Sequence, residues 1–252
     1  MKFLHALIIY LFMLFTPGTQ WVYAQTTAEY SYPQLSKTDI QYKIAREKID
    51  SISRSTSLGH PFCDVYSGSM GFITNQIQDK DPEAGLFIKK FTISFAGYFL
   101  RPLEEYENGV LPSYSAWANY FDHPGAQNWQ LVLTGVNTHI NADMWRALVD
   151  NFSEKQIRKH KKLFLSTQKS VGKVYRPFYD SILAHNRYLR FMHSFTKGLP
   201  LLVGERVLYK WRQRQVRLAI LYYHDKNKFH SVQEKVQRKK LKNDALILRE
   251  RK

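Results

Sequence analysis

Cysteine is nearly absent from this chain of 252 residues: Cys63 stands alone. A single thiol makes no internal disulfide, so stability has to come from a packed core rather than covalent staples. Cys63 follows Phe62 on an apolar helical face, where it reads as a small buried hydrophobe. His60 is close in sequence but belongs to a Gly-His-Pro turn, which argues against a thiol–imidazole nucleophile. Long apolar runs are also missing. The longest, residues 4–15, falls short of the roughly 18 apolar residues needed for a membrane-crossing helix. Runs of strand-like alternation, internal repeats, low-complexity tracts and recognised nucleic-acid-binding motifs are absent as well.

Acidic residues become scarce in the second half. Residues 25–150 hold 10 basic and 14 acidic side chains, residues 151–204 hold 11 and 2, and residues 205–252 hold 15 and 5. The net charge of +16 is therefore a property of the C-terminal half. Such a surface suits an anionic membrane or an acidic polymer.

The start of the chain reads as an export leader. Lys2 precedes the short apolar run, Thr16-Pro17-Gly18 breaks it, and Val22-Tyr23-Ala24 offers a cleavage site before Gln25. The expected address is periplasmic or secreted, with no transmembrane helix in the mature chain. Export disfavours nucleic acid as a partner. Oligomeric state is left open.

What is present in abundance is the helical period. Apolar residues make up 44% of the chain and aromatics 15%, enough for a sizeable core. The pattern predicts an all-α fold, an irregular bundle of about seven to nine helices in a single domain. The expected division is a leader at 1–24, a helical domain at 25–223, and a basic helix or tail, frayed or disordered, at 224–252. Ile40, Ile44, Ile49 and Ile52 are expected inward on a first helix capped by Ser36 or Thr38. Pro102 is expected to end or kink the third helix. Ser113 is a candidate cap for a short helix carrying Trp117. Ser153 with Gln156 has the form of a capping box. Val207, Trp211, Leu218 and Tyr222 are expected inward on the last packed helix.

One stretch puts chemistry into this pattern. With about 100° per residue, Trp129, Val132, Val136, Ile140 and Ala147 share a helical face, and Asp143 falls within it. His139 lies one turn earlier, at the edge. A buried carboxylate needs a partner or a cation. His139, Arg146 and Arg214 are the candidate partners if the role is structural. If it is not, Asp143 and His139 can hold a divalent metal such as zinc, whose bound water would be the nucleophile. Asn137 and Asn141 lie on the other edge of the stripe and are expected to join a buried hydrogen-bond network. His185 and His193, with Asn186 and Tyr188, are candidates for further ligands, and the bland alternative for them is ordinary packing.

The stretch 135–143 resembles a family of mainly bacterial, all-helical domains without assigned activity, whose signature is Gly-x-Asn-x-His-Ile-Asn-x-Asp-Leu. Gly135, Asn137, His139, Ile140, Asn141 and Asp143 match it, whereas Met144-Trp145 replace its usual ending. Tyr66, Phe95-Ala96 and Trp117 also look like family positions. The resemblance covers residues from about 40 to 225 and implies a fold rather than a reaction. A weaker resemblance, confined to the His-x-x-x-Asp pair, is to zinc-dependent phospholipase C and related nucleases. It implies metal-assisted hydrolysis of a phosphoester or lipid-like substrate, with His139 and Asp143 as ligands. The next histidine is His160, in a lysine-rich segment, and Gln25 rather than Trp would start the mature chain, so the trinuclear site of those enzymes is not implied. The competing expectation is a non-catalytic helical envelope protein.

The leader yields a direct prediction. Intact mass and N-terminal sequencing of the exported protein should show a chain starting at Gln25; a full-length product retained in the cytoplasm would overturn the assignment.

Overall fold

Helical periodicity in the sequence becomes helix in space throughout the computed structural model, which describes residues 36–77, 81–167 and 199–249. These residues belong to one compact unit, Leu35–Lys252, and contain no strand, so the domain is all-α. The expected leader and the segment carrying His185, Asn186, Tyr188 and His193 lie outside the described residues.

The chain order is α1 (Lys37–Ile52), α2 (His60–Ile77), α3 (Pro82–Glu107), a 3-10 turn (Ser115–Trp117), α4 (Ala118–Phe121), α5 (Asn128–Thr138), a π-helical turn (His139–Asp143), α6 (Met144–Asn151), α7 (Glu154–Ser166), α8 (Leu199–His224) and α9 (Lys226–Ile247). The helix ends follow local chemistry. Ser36 and Asp39 form a reciprocal capping box on α1, with the Asp39 amide donating to Ser36 Oγ at 3.2 Å. Asp81 caps α3 ahead of Pro82, whose missing N–H costs nothing at the first helical position. Ser153 and Gln156 cap α7 in the expected box.

Several local expectations are corrected. On α1 the buried set is Tyr42, Ala45 and Ile49, while Ile40 and Ile44 are about half exposed. That helix has apolar residues on two sides, and the side carrying Tyr42, whose hydroxyl donates to the Met70 carbonyl, is the one that packs. Pro102 does not end α3, which continues to Glu107. Its neighbours Phe99 and Leu103 are buried, and that packing outweighs one lost backbone bond. Ser113 caps no helix: its amide and hydroxyl both donate to the Glu105 carboxylate. On α8, Leu218 is buried and Trp211 and Tyr222 pack against the core as expected, whereas Val207 is exposed and Arg212, Gln215, Val216 and Ala219 join the inward face.

The core is strongly aromatic. Phe62, Phe87, Phe91, Phe95, Phe99, Trp117 and Tyr120 are all buried. With Tyr66 and Phe164 they form a continuous chain of ring contacts, among them Phe62–Phe99 at 4.8 Å and Phe99–Trp117 at 4.7 Å between centroids. The π turn sits among α3, α5, α6, α8 and α9, so its side chains point into the middle of the bundle.

The largest correction concerns the C-terminal segment. Residues 226–247 are neither frayed nor disordered. They form a helix of 22 residues capped by Asp225, which accepts from the Lys228 amide at 2.9 Å. Phe229 and Val236 join the core, with the Phe229 ring 4.9 Å from Trp145. No described helix is long and apolar enough to cross a membrane.

Because α9 contributes to the core, deleting residues 225–252 is expected to abolish, or greatly lower the midpoint of, cooperative unfolding in a denaturant titration followed by circular dichroism. A truncated chain with the wild-type midpoint would show that α9 is dispensable.

Candidate functional site

The site begins with a close helix approach. A Cβ placed on Gly135 would lie 2.6 Å from the Phe62 ring, so only glycine lets α2 pack this tightly against α5. Immediately beyond, the chain leaves the α-helical path for one π turn, His139–Asp143. A π turn accommodates an extra residue and is commonly found at functional sites. All five of its residues are buried.

The turn brings His139 and Asp143 together. His139 Nδ1 lies 2.8 Å from Asp143 Oδ2, and Trp117 Nε1 donates to the same oxygen at 3.1 Å. The carboxylate is fully buried. Burial pushes the Asp143 pKa well above the usual carboxylate value, while Tyr114, Arg146, Trp117 and Lys240 favour the charged form. Burial also holds His139 well below the usual imidazole value, so the ring is neutral at pH 7. A neutral ring whose Nδ1–H is given to the carboxylate carries its lone pair on Nε2.

The imidazole is fixed by the residues singled out around it. Phe95 stacks on it with centroids 3.4 Å apart, and Tyr66 and Phe62 meet it edge-on at 4.9 and 5.3 Å. Tyr66, Phe95 and Trp117, distant in sequence from His139, therefore converge on one ring. His139 and Tyr66 also line a cavity of about 70 Å³, together with Val65, Met70, Phe91 and Ile140 among others. His139 Nε2 and Tyr66 Oη, both buried, have no hydrogen-bond partner among the described residues. Ser69, Thr92 and Arg212 reach the same cavity. The Arg212 guanidinium bonds the Phe164 carbonyl and Thr167 Oγ1, each at 2.7 Å.

A second polar cluster uses the rest of the signature. Asn137 Nδ2 donates to Asp244 Oδ1 at 2.7 Å and to the Lys240 carbonyl at 3.0 Å. Asn141 Nδ2 donates to Asn137 Oδ1, and Asn141 Oδ1 accepts from Arg214, both at 3.0 Å. Asp244 also takes Asn119 at 3.1 Å and the Lys240 ammonium at 2.8 Å, and that ammonium reaches the Ala116 carbonyl as well. Lys240 and Asp244 are wholly buried, and together they clamp α9 to α5 and the 3-10 turn. Arg214 thus serves Asn141 rather than Asp143. Arg146 stays near Asp143 electrostatically, but its guanidinium bonds Tyr114 Oη and the Ala142 carbonyl, both at 2.6 Å.

Sequence reasoning missed Lys240, Asp244 and Asn243, whose Nδ2 donates to Asn137 Oδ1 at 3.3 Å. The signal was there: Phe229, Val236, Lys240 and Asp244 recur at helical spacing on one face, and Asp244 is a lone acid in a basic run.

For a metal, the donor set is sparse. No group of three or more His, Cys, Asp or Glu side chains able to hold an ion occurs among the described residues. Nδ1 of His139 and Oδ2 of Asp143 face each other as a hydrogen-bonded pair, so an ion on His139 would sit at Nε2 with Asp143 behind the ring as its orienting carboxylate.

These features define an all-helical domain organised around a buried His–Asp dyad and an adjoining apolar cavity. A family profile matches residues 45–249, and the chain belongs to that family, described as a family of unknown function (DUF5995). No curated protein and no solved structure matches the chain.

The depressed His139 pKa gives a stability prediction. Below about pH 6.5 the unfolded chain binds a proton at this residue while the folded chain does not. The His139 contribution to folding stability should therefore fall as pH drops from 7 to 5, against the opposite trend from the raised Asp143 carboxyl. Urea titrations across that range should show a shallower fall in His139→Gln; parallel pH dependences in the two proteins would contradict the neutral, buried ring.

Proposed function

We propose that this domain is a hydrolase in which Asp143 orients neutral His139 as a general base in an apolar cavity, acting on a small phosphoester or lipid-like ester. The observation that carries the reading is the one-sided bonding of His139. Nδ1 is held by a buried carboxylate, while Nε2 has no hydrogen-bond partner among the described residues and the residue lines a cavity. Catalytic His–Asp pairs work in this way: the carboxylate fixes tautomer and orientation and stabilises the imidazolium that forms. Nε2 would take a proton from a water as the water oxygen attacks the ester carbon or phosphorus. The same proton would then pass to the leaving oxygen. A cavity of about 70 Å³ holds a water and a short apolar group, so the bulk of a longer substrate would remain outside it. A divalent metal such as zinc on Nε2 is the variant of this reading in which the ion lowers the pKa of the attacking water. Its further ligands would have to come from outside the described residues.

A second reading is a non-catalytic helical envelope protein whose basic C-terminal half binds acidic lipid or polymer. It is favoured by the Asn137–Asn141–Asp244 cluster, in which half of the signature is spent on holding one helix. Export, with a cut before Gln25, belongs to both readings.

Hydrolysis of chromogenic carboxylic and phosphoric esters of graded chain length separates them. His139→Gln should lower turnover by about 100-fold or more while keeping a cooperative melting transition. Asp143→Asn should lose turnover and also about 1–3 kcal/mol of stability, since it disturbs buried hydrogen bonds. Turnover unchanged in His139→Gln, or absent from the wild-type protein with every ester, would leave the envelope reading.

A further inference from the structure

The outward face of α9 is as ordered as its inward face. With about 100° per residue, Lys228, Lys235, Lys239 and Lys242 fall within an arc of about 60°, centred about 125° around the helix from the side that carries Phe229, Val236, Lys240 and Asp244. All four are exposed. None makes an ion pair among the described residues, because the one salt bridge on this helix is the buried Lys240–Asp244 pair on its other side. Arg238 flanks the arc, and the single exposed acid of the helix, Glu234, lies outside it. The line from Lys228 to Leu246 is about 27 Å long and straight. Leu246 continues it and is 63% exposed.

We propose that this stripe is a docking face for an anionic lipid surface, with α9 lying parallel to the bilayer. The proposal is independent of whether the dyad is catalytic. Four unpaired ammonium groups on one straight line match a plane of negative headgroups, each gaining from the surface potential. Leu246 distinguishes a bilayer from other polyanions. An exposed leucine in line with the lysines gains by entering the headgroup–acyl boundary and gains nothing against a phosphodiester backbone. The stripe also carries no aromatic side chain on which a base could stack. The buried clamp makes the face rigid: α9 presents its lysines as a preformed helix rather than one that must fold on binding.

Charge reversal is the suitable test, because truncation would remove core residues. The full chain is mixed with neutral phosphatidylcholine vesicles and with vesicles containing phosphatidylserine, at low and at high salt, and binding is read by cosedimentation. The apolar run near the N-terminus is present in every sample, so the quantity read is the ratio of affinities for anionic and neutral vesicles. The expected result is a preference for anionic vesicles that high salt removes. Lys235→Glu combined with Lys239→Glu and Lys242→Glu should cut the ratio by about tenfold or more, with the circular dichroism melt unchanged. Leu246→Ser should weaken anionic-vesicle binding without altering its salt dependence. The matching reversal on α7, Lys155→Glu with Lys161→Glu and Lys162→Glu, should have a smaller effect. The proposal falls if the α9 variant keeps the wild-type ratio, if the α7 variant loses as much, or if duplex or single-stranded DNA competes the protein off anionic vesicles at equal phosphate concentration.

Discussion

A carboxylate with no exposure, in the middle of an aromatic core, is the constraint around which this domain is arranged. Leaving such a group unpaired would cost a large share of a domain's margin of stability, and burial already shifts Asp143 toward its neutral form. Here Trp117 and His139 answer it directly, with Tyr114, Arg146 and Lys240 adding a favourable field. Each comes from a different part of the chain, so satisfying Asp143 requires the 3-10 turn, α6 and α9 to assemble around the π turn. The rings that hold His139 in place, Phe95, Tyr66 and Phe62, bring in α2 and α3. One buried charge is thus linked to most of the described elements.

The two polar clusters on either side of the π turn differ in kind. The cluster of Asn137, Asn141, Asp244 and Lys240 closes on itself, with each carboxylate oxygen of Asp244 and both polar atoms of the Asn137 amide engaged. Networks of that sort fix the arrangement of helices. The dyad does not close: His139 Nε2 and Tyr66 Oη have no hydrogen-bond partner among the described residues, and both side chains line one cavity. Buried polar atoms are normally bonded, so each exception calls for an explanation, such as a water, an ion or a catalytic role. That asymmetry within a nine-residue signature is the basis on which the proposed function gives one half a positioning role and the other a reacting one.

Much of this was legible in the residues. The all-α fold followed from periodicity, the Ser36 and Ser153 caps from side-chain chemistry, and the burial of Asp143 from its place among Val132, Val136 and Ile140. What was not legible depends on partners distant in sequence. An Arg on α8 looked suited to Asp143, but Arg214 reaches Asn141 instead. The basic composition of residues 224–252 hid Lys240 and Asp244, which neutralise each other out of water's reach. Ile40 and Ile44 read as core because hydropathy alone does not decide which of two apolar sides of α1 meets a neighbour. The π turn itself has no local sequence signal: it holds because packing on all sides stabilises a backbone path that an isolated helix would not take.

That turn also has a bearing on how the chain tolerates length changes. A π turn is in effect an α-helix carrying one surplus residue, a phase slip that resets the angular origin of everything after it. Because the turn absorbs one residue's rotation of about 100°, removing one residue from within 139–143 would let the backbone relax to an unbroken α path with α6 still in phase with α5. Trp145, Ala147 and Leu148 would keep the faces they now fill. Forcing the full-length stretch into a plain α-helix would do the opposite, turning α6 by about 100° relative to α5. A single-residue deletion here would therefore act on the turn alone and leave the packing behind it in register.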